Sequence, residues 1–160
     1  MKILYFDTNS LLFSNGYIRA DQDRYKRYKK WQAAPTIPLC KLISPDTIGL
    51  NKLREAAAYS GLKLFPLDSR YPRDFFINEG LISKEELAPE IKISVRLGSS
   101  DPLRRMLAHA ENLAAEWYIC GDLEVSQLLD LYPSRFLKSA SGEGVNCELV
   151  AKIKALKPSC

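Results

Sequence analysis

The chain carries one histidine, His109, in 160 residues, and no Ser-His-Asp or Cys-His arrangement can be assembled around it with any specificity. Its four cysteines, Cys40, Cys120, Cys147 and Cys160, are scattered with no CxxC pair, which argues against a zinc site or a disulfide framework. Reduced thiols are expected, with Cys40 and Cys120 serving as small apolar residues. No apolar run approaches the ~20 residues of a membrane helix, and Met1-Lys2 leads into a short strand pattern rather than a signal-peptide core, so no membrane partner and a cytoplasmic location are expected. Glycine is sparse where a phosphate loop would need it: Gly142-Glu143-Gly144 lacks the required spacing and reads as a turn. There is no internal repeat and no low-complexity segment.

What remains is ordinary globular material, 46% apolar and 26% charged with a formal charge of +4, and its length suits one domain over 1–160. Periodicity gives a strand over residues 2–6. A basic, aromatic stretch over 14–32 follows, for which an amphipathic helix is plausible. Pro35 and Pro38 then lead into an apolar run over 39–43, read as a second strand. Ser44-Pro45-Asp46 opens a helix bearing Leu50, Leu53, Ala57 and Ala58, which stops at Gly61. A third strand over 62–67 ends on Asp68, and residues 69–82 suggest a short helix or turn before a capped turn, Ser83-Lys84-Glu85-Glu86.

Alternation over 91–97 suits a further strand, and residues 98–101 open a helix with Leu103, Met106, Leu107 and Ala110 on one face. A strand over 117–120, a helix around Val125, Leu128 and Leu129, a strand over 135–138 and a closing helix over 147–156 complete the reading. Strands alternating with helices predict an α/β fold, a doubly wound, mostly parallel, Rossmann-like sheet.

In such sheets ligands bind beyond the carboxyl ends of the strands, and three strands are expected to end there on chemistry-bearing residues: Asp7, Ser44 and Asp122. Two carboxylates close together repel unless a cation lies between them, and Mg²⁺ suits an oxygen-rich site with few protein ligands. Each residue also has a plain structural reading: Asp7 as a turn or helix cap, Ser44 or Asp46 as an N-cap beside Pro45, Asp122 as the cap of the next helix. His109 reads as a structural residue on a helix flank.

The order and spacing of these segments resemble the haloacid dehalogenase-like (HAD) superfamily, in particular small domains of RNA-repair-associated proteins. The likeness runs through Ile3-Leu4-Tyr5-Phe6-Asp7-Thr8-Asn9, Leu42-Ile43-Ser44, Arg54 before Gly61-Leu62, Trp117-Tyr118-Ile119-Cys120-Gly121-Asp122, and Phe136-Leu137-Lys138 before Gly144-Val145. The resemblance implies a HAD-type core with residues 14–38 as a small cap insert. It implies Asp7 as nucleophile, Ser44 as phosphate ligand, Mg²⁺ held by Asp7, Asp122 and the Asn9 backbone carbonyl, and Arg104 as the charge-offsetting cation, with Arg105 and Arg96 as alternatives. Asn9 stands where phosphatases of the superfamily carry a general acid, which disfavours poor leaving groups. Gly121 stands where a second carboxylate is frequent.

The expected activity is therefore hydrolysis of a phosphorylated or anionic substrate, weakened by Asn9. Two rivals stay open. One is a catalytically degenerate relative that binds nucleic acid or protein through Arg24-Tyr25-Lys26-Arg27-Tyr28-Lys29-Lys30-Trp31, where cations suit phosphates and rings suit bases; the same segment also reads as a solvated lid helix. Within the HAD reading, Lys26 and Arg27 would meet the substrate from the cap. The other is a metal-dependent ribonuclease resembling the PIN or NYN families, with Asp7, Asn9 and the Gly121-Asp122 pair gathering metal ions.

Overall fold

In the computed structural model, which describes residues 1–91, 102–122, 132–140 and 142–157, the first strand is the hub. Strand β1 (Lys2–Phe6) pairs in parallel with β2 (Lys63–Pro66) on one side and β3 (Glu116–Gly121) on the other, and β4 (Phe136–Lys138) pairs in parallel with β3. The order β2-β1-β3-β4 makes a four-stranded, all-parallel sheet with β1 inside it. Among the described residues no helix is long and apolar enough to cross a membrane.

A strand with neighbours on both edges and cover on both faces must be apolar throughout, and Ile3, Leu4, Tyr5 and Phe6 are all buried. Their side chains alternate between two cores. Leu4 and Phe6 enter the larger one, with Leu11, Leu53, Phe76 and Leu149; Ile3 and Tyr5 enter a smaller one, with Ile119, Met106 and Ala110. The larger core is closed by α1 (Thr8–Leu12), α4 (Thr47–Tyr59), α5 (Arg73–Asn78) and α7 (Cys147–Lys154), with α2 (Asn15–Arg19) and α3 (Gln22–Ala33) lying between α1 and α4 in the chain. The smaller is covered by α6 (Pro102–Asn112).

Helix α4 begins where the Asp46 carboxylate accepts the Gly49 N–H at 3.0 Å, and Leu50, Leu53, Ala56 and Ala57 form its buried stripe. Gly61, at φ +68°, turns the chain into β2. The outer edge of β2 is partly covered: Leu64 and Leu87 form a parallel bridge, held by Arg54, whose guanidinium donates two bonds to the Glu86 carboxylate. Ser83 donates to the same carboxylate, giving the expected capped turn.

The expected strand over 39–43 is absent. Leu39–Lys41 is a 3₁₀ turn entered from Pro38, and the Ile43 N–H reaches the Leu39 carbonyl at 3.0 Å. Leu39 and Ile43 are both buried, so the run has helical rather than alternating periodicity; five apolar residues bounded by prolines do not distinguish the two. Consequently Ser44 ends no strand. The stretch over 14–32 is two helices, broken at Asp21, whose carboxylate caps α3. The expected strand over 91–97 and the helix around Val125 lie, apart from Ile91, outside the described residues, as does Arg96.

Leu53 is fully buried between α4 and the sheet. Leu53→Ala is expected to lower the unfolding free energy by about 2–5 kcal/mol in denaturant titration, with an unchanged denaturant slope.

Candidate functional site

The carboxyl ends of β1, β2 and β3 each deliver an acid to one rim of the sheet: Asp7, Asp68 and Asp122. Asp7 follows directly from Phe6 and caps α1, its Oδ2 accepting the Ser10 N–H at 3.2 Å. Its own N–H donates to the Cys120 carbonyl at 3.1 Å, continuing the β1–β3 ladder past the end of the strand. Ser10 joins the two strand ends, because its Oγ accepts the Asp122 N–H at 3.0 Å while its hydroxyl also interacts with the Asp7 carboxylate.

Gly121 makes this approach feasible. At φ +144° it adopts a backbone that side-chain-bearing residues rarely take, and a Cβ there would lie 2.8 Å from the Asp7 Cβ and 3.0 Å from Ser10 Oγ. Glycine at this position is thus required by the space between β1 and β3.

Burial pushes the Asp7 carboxyl above the usual aspartate value. The Ser10 hydroxyl and N–H oppose that rise; the nearby Asp68 charge adds to it, and Arg70 reduces it. Burial would raise Asp68 as well, but two-pronged pairing with Arg70, as close as 2.6 Å, and the charge of Arg105 hold it below its ordinary value. Of these two acids, Asp68 is matched by a guanidinium and Asp7 is not.

The other expected residues fall as follows. Asp122 sits on the rim beside Asp7. Asn9 lies within α1, and its carbonyl accepts the Phe13 N–H at 3.1 Å, so that oxygen is engaged in the helix. Ser44 is exposed in the turn before α4, and its carbonyl accepts the Tyr17 hydroxyl at 2.7 Å. Two residues on, the Asp46 N–H donates to Leu12 at the carboxyl-terminal end of α1, whereas Asp7 caps the amino-terminal end. The acid rim is thus built without a Ser44 strand. Arg104 is exposed on α6, and the neighbouring Arg105 is the one whose charge reaches Asp68.

Lys26 and Arg27 are exposed on α3, where Arg27 Nη1 donates to the Leu42 carbonyl at 3.4 Å. The rings of that helix do not face solvent as a stacking platform: Tyr25, Tyr28 and Trp31 are half-buried against the core, and Trp31 Nε1 donates to the Ile37 carbonyl. Cations remain outward.

Sequence reasoning placed a strand end at Asp68 without assigning it to the site, and it missed Ser10 and Arg70. The signal existed, since Asp68 ends its strand as Asp7 does, and Ser10 stands three residues beyond a capping acid. His109 is structural, as expected: buried, with Nδ1 2.6 Å from the Tyr5 hydroxyl and Nε2 2.8 Å from the Pro89 carbonyl. Cys120 is a buried thiol whose pKa burial pushes up.

The rim's donors are hard carboxylate oxygens, the chemistry Mg²⁺ prefers. Among the described residues, no three His, Cys, Asp or Glu side chains gather closely enough to hold an ion by themselves. An ion at this rim would have at most two of these carboxylates, Asp7 and Asp122, and water for its other ligands.

Because its folded pKa is raised, Asp7 favours folding when protonated at low pH, and that contribution is lost as pH rises through the folded value. Asp7→Asn retains an acceptor for the Ser10 N–H and is expected to raise the thermal midpoint at pH 7. The difference should shrink as the pH falls towards 4, the range in which free aspartate protonates.

Protein-family models, curated proteins and solved structures offer no match to this chain.

Proposed function

We propose that the chain hydrolyses a phosphorylated or otherwise anionic small substrate through Asp7, as a HAD-like phosphohydrolase. In this reading the parallel sheet is a doubly wound HAD-type core, residues 14–38 are its cap, and the outward Lys26 and Arg27 contribute positive field for the substrate. The observation that carries it is the half-buried, guanidinium-free carboxylate of Asp7 at the end of an inner strand, fixed by Ser10 against Gly121-Asp122.

An Asp7 carboxylate oxygen attacks phosphorus, the bond to the leaving oxygen breaks, and an aspartyl-phosphate forms. The leaving oxygen takes its proton from water, since Asn9 has none to give; water then attacks the intermediate, releasing phosphate and restoring Asp7. Mg²⁺, when bound through Asp7 and Asp122, would neutralise charge on the phosphoryl oxygens. Arg70, whose charge already reaches Asp7, would offset negative charge developing on the substrate.

A second reading is favoured by one observation: a third acid, Asp68, stands on the rim while Ser44 ends no strand. A PIN- or NYN-like nuclease, in which the acids hold metal ions and water attacks a phosphodiester directly, needs no role for Ser44.

Turnover of para-nitrophenyl phosphate with Mg²⁺ should fall to background in Asp7→Asn, because the attacking carboxylate is then gone. Acid quenching of turnover with a radiolabelled phosphomonoester should leave label on Asp7. Survival of activity in Asp7→Asn contradicts the reading, and metal-dependent cleavage of single-stranded RNA with no label establishes the second.

A further inference from the structure

A cavity of about 300 Å³ lies between α2 and α3, and no residue of the acid rim lines it. Asn15 and Arg19 line it from α2, and Tyr25, Tyr28, Lys29 and Gln32 from α3. Spacing explains the set. The four α3 residues stand at i, i+3, i+4 and i+7, one face of a helix, and the two from α2 stand four apart. The acids of this stretch, Asp21 and Asp23, do not line the cavity, and the Asp21 carboxylate is taken up by the N–H groups of Asp23 and Arg24.

Two positive charges are held at one ring in this space. The Arg19 guanidinium carbon lies 6.0 Å from the centroid of Tyr25, and Lys29 Nζ lies 5.4 Å from the same centroid. Both residues are exposed and so within reach of a solute, and among the described residues neither forms an ion pair or donates a hydrogen bond. An aromatic face attracts an exposed cation only weakly, so neither charge is neutralised. Uncharged donors join them. Gln32 Nε2 donates to the Tyr28 hydroxyl at 3.2 Å, which makes that oxygen an acceptor and leaves its own proton with no acceptor among the described residues. The Asn15 side-chain amide likewise has none.

We infer that this cavity is a binding site for a phosphate group, separate from the Asp7 rim. Arg19 and Lys29 pair with its charge, and the Tyr28 hydroxyl and Asn15 amide donate to its remaining oxygens. A dianion matches two cations, and a tetrahedral group offers oxygens in several directions, as donors arriving from two helices require; a planar carboxylate supplies one charge and two oxygens. The space is larger than a single phosphate, so pyrophosphate or a phosphate within a diester chain also enters. The assignment uses no property of Asp7 and stands whether or not the rim hydrolyses a phosphoester.

Calorimetric titration of the full chain without metal tests it, with pyrophosphate as the small source of phosphate and a single-stranded oligodeoxynucleotide of mixed sequence as the diester source. At least one probe is expected to bind saturably, and Arg19→Gln with Lys29→Gln should weaken it at least about tenfold through the loss of two charge-assisted contacts. Lys30→Gln with Lys52→Gln removes the same charge from exposed positions outside the cavity and should weaken that probe about threefold at most. In the unsubstituted chain the bound probe should shift the ring resonances of Tyr25 and Tyr28, a readout that needs no variant to fold. Tighter binding of the oligonucleotide identifies the diester chain as the source, and tighter binding of pyrophosphate a small phosphate compound; either upholds the site. No saturable binding of either probe, equal losses in the two double variants, or unshifted rings overturns it.

Discussion

The fold's chemistry depends on how closely β1 and β3 approach at their carboxyl ends. The ladder continues one residue beyond β1, through the Asp7 N–H to the Cys120 carbonyl, and the next residue of β3 has no Cβ because the space is already filled by Asp7 and Ser10. Asp7 is thereby held half-buried between two strands and made to cap a helix. A carboxylate in that setting is oriented by two donors from Ser10 but poorly solvated, and its nearest guanidinium is committed to Asp68. Such an acid is stabilised by a nearby cation.

The two faces of the sheet are unequal. Four helices close the larger core tightly around Leu4 and Phe6. The other face has α6 over Ile3, Tyr5 and Ile119, which leaves a cavity beside Asp68 near the rim. A rigid side fixes the acids while a partly filled side provides space next to them. Asp68, neutralised by Arg70, is the boundary between the two.

Much of this was legible from the residues. The continuous apolar run of β1 ending on an acid, the Asp46-capped stripe of α4 and the β3 run ending on Gly121-Asp122 each obey a single dominant rule, and the structure follows it. The run over 39–43 obeys two rules at once: its β-compatible residues suit a strand, yet Pro38 fixes the entry and burial of Leu39 and Ile43 demands a helical turn. Ser44 was misjudged with it, and Asp68 was undervalued because the strand it terminates was not known to lie beside β1. Pairing across the sheet is non-local, so no reading of spacing supplies it. The aromatic residues of α3 were ambiguous for a related reason: their pattern suits base stacking and core packing equally, and only the fold turns them inward.

The central claim is that Asp7 is a poorly solvated, ionisable acid and not an ordinary helix cap. Its titration, followed through the carboxyl carbon by ¹³C nuclear magnetic resonance in the metal-free protein, tests this directly. The account predicts a pKa above the usual aspartate value, lowered when Mg²⁺ is added. A value at or below that of a free aspartate, unmoved by Mg²⁺, would contradict it.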